Sequence, residues 1–215
     1  MIQPINPPQD VIHQSQLNDA KLYGTRYDFI KTLPKGISFL EIGTLAGDFA
    51  LKVIEACSPE KVSLVDPFNV EDFFWTEYGY KRWEHPSEHY DFVKNRFKDM
   101  DFVELHHGMS IDVMPKIRDK YDFIYIDADN EGPGLQVNFR EARLHLKENG
   151  VIGFNDYNIY ENLGNGKLQD NVPFINGFLK FQKKWRVHAF ALNDNLTSDI
   201  YITQADINNV FVQPQ

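Results

Sequence analysis

The sequence predicts an α/β fold: a mostly parallel sheet of about seven strands, helices on both faces, and a C-terminal antiparallel hairpin. Three observations lead there. Short apolar runs rich in β-branched or aromatic residues end in acidic or small polar residues. Helical periods alternate with those runs, which is the pattern of βαβ units. The chain then closes on two strand-like runs joined by the turn-rich "NDNLT".

Each element follows in order. Residues 1–16, rich in Pro, Gln and Asn, read as a loosely ordered arm, and 17–215 as one domain. A helix is expected over 17–33. "ISFLEIG" (37–43) reads as a strand buried on both faces. Phe49, Ala50, Val53, Ile54 and Cys57 then share one helical face, stopped by Pro59. "KVSLVDP" (61–67) is the next strand. A helix carries Tyr90, Val93 and Phe97, and "DFVELHHG" (101–108) alternates enough to be an edge-ward strand. "YDFIYIDAD" (121–129) is buried again. Leu135, Phe139, Ala142 and Leu146 recur at helical spacing, with Gly150 expected as the terminator. "VIGFNDY" (151–157) is a strand, 173–184 a helix, and "WRVHAFAL" with "SDIYITQ" the closing hairpin.

Composition narrows the function classes. At 215 residues the chain fits one well-buried core. A net charge of −9 argues against nucleic acid or an anionic membrane as partner, because no dominant basic surface is available. No apolar run reaches the roughly 18 residues of a membrane span, and the N-terminus lacks a signal peptide's basic start and apolar core. Cys57 is the lone cysteine, which suits a reducing cytoplasm. A cytoplasmic protein acting on a small molecule is the expectation.

In such sheets ligands bind beyond the carboxyl ends of the strands, where the acidic residues of this sequence fall. "FLEIGTLAGDFAL" (39–51) is a strand, a glycine turn and a helix start. Gly43 and Gly47 permit a tight turn and close approach of a ligand, and the helix offers free N–H groups. Asp66 follows Gly43 by 23 residues, ending the next strand, where a carboxylate can accept ribose hydroxyls. The spacing is G-x-x-x-G, with Leu45 where the dinucleotide fingerprint has its second glycine. Glu41 beside the turn suits an ammonium better than a pyrophosphate. An amino-acid-bearing sulfonium cofactor therefore fits better than NAD, although an ordinary strand–turn–helix junction has the same glycines.

"EIGTLAGDFAL", "VSLVDPF", "HHGMSIDVMPKI" and "YDFIYIDAD…LKENGVIGFNDY" together resemble the class I S-adenosylmethionine-dependent methyltransferases, in particular their catechol O-methyltransferase-like and sugar O-methyltransferase-like branches. The resemblance runs from about 37 to 157 and implies a Rossmann-like sheet. It implies that Glu41, Gly43, Thr44 and Gly47 hold the methionine part of the cofactor and that Asp66 grips the ribose. Gly108, Met109 and Ser110 would border the adenine, though "S-x-D" there also suits a helix cap. Asp127 would end the fourth strand at the methyl-transfer point and stay ionised beside a sulfonium and an ammonium.

Metal-dependent members of these branches place an Asp after the fourth strand and an Asp-Asn pair after the fifth, which suits Mg²⁺. Asp127 and Asp156 match the aspartates, as catalytic residues and candidate ligands. Tyr157 stands where the asparagine would be; Asn155 is a third candidate, which strand alternation points the other way. Asn130 and Asn155 occupy places where members of the family carry histidine, so an acid–base role there is removed. Asp129 is a secondary candidate. The aromatic insert "FFWTEYGYKRWEHPSEHY" (73–90), seven aromatics in eighteen residues, reads as a lid, a satellite core or a homo-oligomer contact. His106 and His107 end the third strand and could reach the site. The expected activity is methyl transfer from S-adenosylmethionine to a hydroxyl of a sugar or phenol type, with Mg²⁺ assistance open. An NAD-dependent oxidoreductase and a non-catalytic cofactor-binding protein of the same fold are the alternatives.

Overall fold

In the computed structural model the described residues are 11–70, 73–76, 79–83, 85–128, 132–157, 171–193, 197–205 and 210–211. Strand β1 (Lys21–Tyr23) and helix α1 (Arg26–Ile30) lead into β2 (Ser38–Ile42), α2 (Asp48–Cys57) and β3 (Lys61–Asp66). A two-stranded ribbon, β4 (Phe73–Thr76) with β5 (Gly79–Arg82), precedes α3 (Pro86–Phe97) and β6 (Val103–His107). Then come α4 (Ser110–Val113), β7 (Tyr121–Ile126), α5 (Gly132–His145), β8 (Leu146–Phe154), α6 (Asn171–Phe181), β9 (Arg186–Leu192) and β10 (Ser198–Thr203).

The main sheet has eight strands in the order β1-β9-β10-β8-β7-β2-β3-β6. Only β10 runs antiparallel to its neighbours, between β8 and β9, so the closing hairpin is β9–β10. The other ladders are parallel. Alternation along the strands builds a core on each face. Leu40, Ile42, Ile124, Ile126, Ile152 and Phe154 point into one, and Phe39, Phe123, Tyr125, Val151 and Tyr201 into the other. As expected, β6 is the edge beyond β3.

The eighth strand is β1, which lies in the stretch expected to be helical over 17–33. Gly24 interrupts that stretch, and Thr25 Oγ1 accepts the Asp28 N–H at 3.1 Å, so the helix starts only at Arg26. The three residues before it pair with β9 instead. Gly150 does not terminate α5, because the chain is already in β8 from Leu146. A Cβ at Gly150 would lie 2.9 Å from the Asp122 carbonyl oxygen, so close strand packing requires the glycine. Of the arm expected over 1–16, residues 14–16 form a 3-10 turn, and the buried Gln16 amide donates to the Leu179 and Trp185 carbonyls, both at 2.9 Å. No described helix is long and apolar enough to cross a membrane.

The topology places the site. From β2 the chain moves outward through β3 to β6, then returns to the other side of β2 with β7. The carboxyl ends of β2 and β7 therefore flank the switch point, where a crevice opens. There the Asp127 N–H donates to the Ile42 carbonyl at 2.8 Å and the Gly43 N–H to the Val65 carbonyl at 2.9 Å.

Candidate functional site

A cavity of about 440 Å³ occupies this crevice. Its first wall is the turn from β2 to α2. Gly43 has φ 89°, and a Cβ there would come within 2.1 Å of the Asp127 carbonyl oxygen. Gly47 has φ 80° and caps α2, with Phe97 where a Cβ would go. Between them Leu45 also adopts the left-handed region, at φ 48°, without being glycine.

Three backbone bonds to one carboxylate hold that conformation. Asp66 Oδ2 accepts the Thr44 and Leu45 N–H groups at 2.8 and 2.9 Å, and Oδ1 accepts the Phe68 N–H at 2.6 Å. Both lone pairs of Oδ2 are thereby engaged, and Oδ1 retains capacity for one further donor.

Helix α3 braces the same turn from outside. His89 Nε2 lies 2.8 Å from the Leu45 carbonyl oxygen, and the Val70 N–H donates to Nδ1 at 3.3 Å. That pair assigns the neutral tautomer with the proton on Nε2, and burial lowers the pKa of the ring, which favours the same neutral state. Trp83 stacks on His89 at 3.9 Å. Arg96 pairs with Asp48 at 2.6 Å and donates to the Ala46 carbonyl. Nothing in local spacing marks His89 or Arg96, whose partners lie roughly 45 to 50 residues upstream.

The opposite wall is built from side chains. Glu41 on β2 is 1% exposed, and its Oε2 has no hydrogen-bond partner among the described residues. Burial, reinforced by nearby Asp127, raises its carboxyl well above the usual range. Asp127 follows the last residue of β7. Burial pushes its carboxyl up to about 7; Arg26 opposes that shift, while Asp156 and Asp199 add to it. That raised value belongs to the protein alone; the ionised state expected of Asp127 beside a sulfonium and an ammonium is a property of the ligand-bound site.

Asn155 also departs from expectation. The β7–β8 register pairs Tyr125 with Gly153 and Ile126 with Phe154, so the next step sets Asn155 beside Asp127 on the same face. Its Nδ2 donates to Asp127 Oδ1 at 2.6 Å, and its Oδ1 lies 3.2 Å from the Tyr125 hydroxyl oxygen. The Tyr125 hydroxyl lies 2.7 Å from Asp199 Oδ2, which also accepts from Tyr201 at 3.1 Å. Asp199, fully buried, receives Asn193 Nδ2 at 2.8 Å and Arg26 Nη2 at 3.4 Å on its other oxygen. Asp156 stands in a turn at φ 51° and does not line the cavity, although its charge is felt at Asp127.

Eight of the nine residues expected to hold a cofactor line the cavity: Glu41, Gly43, Thr44, Asp66, Gly108, Met109, Ser110 and Asp127. Gly47 sits behind them as the α2 cap. Ser110 is not a helix cap; Met109 holds that position, and the Ser110 hydroxyl bonds Asn138 of α5. His106 and His107 lie away from the cavity, with His107 stacked on Tyr90 at 4.7 Å. Asp129, Asn130 and the side chains of 71–82 lie outside the described residues.

An open α/β sheet with a glycine turn, a carboxylate on the neighbouring strand and an acidic crevice at the switch point defines a nucleoside-cofactor protein. The sequence profile of the methyltransferase domain matches residues 40–157, more than half of the chain. The chain belongs to that family, the class I S-adenosylmethionine-dependent methyltransferases. Among curated protein sequences none matches. Solved structures share the fold. The O-methyltransferase from Bacillus cereus in complex with S-adenosylhomocysteine superposes with a TM-score of 0.58 at 18% identity, covering 91% of this chain and 83% of that one. TomG from Streptomyces achromogenes, an O-methyltransferase involved in tomaymycin synthesis and solved with S-adenosylmethionine, gives 0.54 at 14% identity, covering 88% and 75%. An rRNA methylase from Streptococcus thermophilus gives 0.54 at 9% identity, covering 84% and 94%.

Proposed function

We propose that this chain transfers the methyl group of S-adenosylmethionine to a hydroxyl of a small molecule, with Asp127 as the general base. One observation carries the reading: two buried carboxyls with raised pKa, Glu41 and Asp127, face one cavity beside the glycine turn. A zwitterionic ligand with an ammonium and a sulfonium would complement them. The ammonium would go to the unpartnered Glu41 oxygen, and the remaining acceptor of Asp66 Oδ1 would take a ribose hydroxyl. Gly108, Met109 and Ser110 would border the adenine.

Bound S-adenosylmethionine supplies an electrophilic methyl group on a positively charged sulfur. An acceptor hydroxyl held in line behind that methyl group would take it as the carbon–sulfur bond breaks, with that bond's electron pair left on sulfur. Asp127 takes the proton released by the hydroxyl. The positive charge of the cofactor would lower this carboxyl from its ligand-free value of about 7 and keep it unprotonated to receive that proton. Positioning supplies much of the remaining rate. The net charge of −9 favours a small acceptor over nucleic acid.

The Mg²⁺ expectation on Asp127, Asp156 and Asn155 is not carried into this reading. Asn155 presents its amide N–H₂ to Asp127, so its oxygen points away from that carboxylate, toward the Tyr125 hydroxyl 3.2 Å away. Calorimetry tests the proposal with S-adenosylmethionine, S-adenosylhomocysteine and NAD. Micromolar binding of the first two and none of NAD is expected; NAD binding without a response to the other two overturns it.

A further inference from the structure

We propose that Arg26 takes the electrostatic place of a divalent ion, so that this chain assembles its methyl-transfer site without a metal. The inference deepens the methyl-transfer reading and rests on it. Among the described residues that line the cavity Arg26 is the single cation, against the carboxyls of Glu41, Asp48, Asp66 and Asp127. Asp48 is already paired with Arg96.

The guanidinium is held rather than tethered. Gly24 and Thr25 start α1 at Arg26, which places its side chain under the β9–β10 hairpin. Nε donates to Asn193 Oδ1 at 3.3 Å, and Nη2 lies 3.4 Å from Asp199 Oδ1. The guanidinium carbon stands 5.9 Å from the Tyr125 ring centre. So fixed, with its side chain 20% exposed, it is felt by Asp127, Asp156 and Asp199 alike. Those are the carboxylates a metal would have to neutralise. A divalent ion between Asp127 and Asp156 would meet a fixed like charge.

The donor set agrees. An octahedral ion needs oxygen ligands, and Asn155 offers Asp127 an N–H₂ while its oxygen faces away, toward the Tyr125 hydroxyl 3.2 Å off. Among the described residues no three His, Cys, Asp or Glu side chains are grouped to hold an ion. The chain of contacts from Arg26 through Asp199, Tyr125 and Asn155 to Asp127 keeps the carboxylates apart and oriented, which is the positioning half of a metal's task.

The test uses the full chain, thermal melts and calorimetry with MnCl₂ and MgCl₂, and NaCl at matched ionic strength as the reference. Wild type is expected to show no saturable metal binding and no metal-dependent rise in Tm, with EDTA leaving S-adenosylhomocysteine affinity unchanged. R26Q removes the cation and should show saturable Mn²⁺ binding, about 10-fold or more above the wild-type detection limit, a gain lost in R26Q/D127N. R26K keeps a cation and should behave as wild type. Saturable Mn²⁺ or Mg²⁺ binding by wild type that D127N abolishes overturns the proposal, as does a folded R26Q with no gain. If R26Q does not fold, the wild-type and R26K titrations decide. Wild type that binds neither S-adenosylmethionine nor its product sinks the methyl-transfer reading and leaves the metal titration legible.

Discussion

The two walls of the crevice are made differently. The β2–α2 wall is backbone: left-handed residues at 43, 45 and 47, tied by amides to the single carboxylate Asp66. The β7–β8 wall is side chain: Arg26 and Asp127 line it, backed by Tyr125, Asn155 and Asp199, all contributed by segments from the start of the chain to its last strand. A backbone wall fails by sterics, close to all-or-none. A side-chain wall fails by charge, in a graded and pH-dependent way.

Gly43→Ala should give the largest effect and breaks the first wall outright. Its Cβ would sit 2.1 Å from a carbonyl oxygen that β7 cannot withdraw without losing its bond to β2, and φ 89° adds strain. A loss of about 3–5 kcal/mol is expected, of the kind seen when a special backbone conformation is violated. The melt should fall by about 10 °C. Binding of S-adenosylhomocysteine should vanish. A variant that keeps its Tm and binds within a few-fold of wild type would show that the turn is not the rigid element described.

Asp127→Asn sharpens the contrast from the other side. The folded carboxyl titrates at about 7, and the unfolded one near 3.9. A raised carboxyl pKa stabilises the fold where the group is protonated, so its contribution is complete below about 3.9 and is lost as pH rises through about 7. Asparagine stays neutral throughout. The variant should therefore melt higher than wild type at pH 8 by about 2 kcal/mol of stability, with a smaller gap at pH 5. Affinity for the cationic cofactor should rise with pH through about 7 in wild type and be weaker and flat in the variant. Melts and calorimetry from pH 5 to 8 check both; parallel pH profiles for the two proteins would remove Asp127 from the charged wall.

The same division separates what could be seen in the sequence from what could not. Gly43, Gly47 and Asp66 fall within one strand–turn–helix–strand unit, and glycine announces a left-handed backbone by itself. Leu45 shares that conformation and carries no such mark. The parallel strands were legible as apolar runs, whereas β1 has three residues and lies at an edge, where packing imposes no pattern. Arg26 and Asp199 meet across 173 positions because β10 inserts antiparallel beside β8 and β9 and presents Asp199 under α1. Periodicity holds no information about such a contact. Asn155 was misplaced for a related reason: the β7–β8 register that sets it beside Asp127 is a tertiary pairing that alternation within one strand does not reveal.

His89 belongs to neither wall and yet should tune the first one, with the smallest effect. It touches no expected ligand, but it binds the Leu45 carbonyl and the Val70 amide from two directions while Trp83 covers its ring. His89→Ala leaves a carbonyl and an N–H short of a partner at a residue already held at positive φ. A cost of about 1–2 kcal/mol follows for a lost pair of buried bonds. Merely destabilising the fold would loosen amides everywhere. Loosening the turn should instead speed hydrogen exchange at residues 44–47 more than in β10 and weaken S-adenosylhomocysteine by about 3- to 10-fold, in line with the same 1–2 kcal/mol. Uniform exchange with unchanged affinity would mean that the backbone wall stands on Asp66 alone. A selective change would mean that its rigidity is shared with a helix the ligand never reaches.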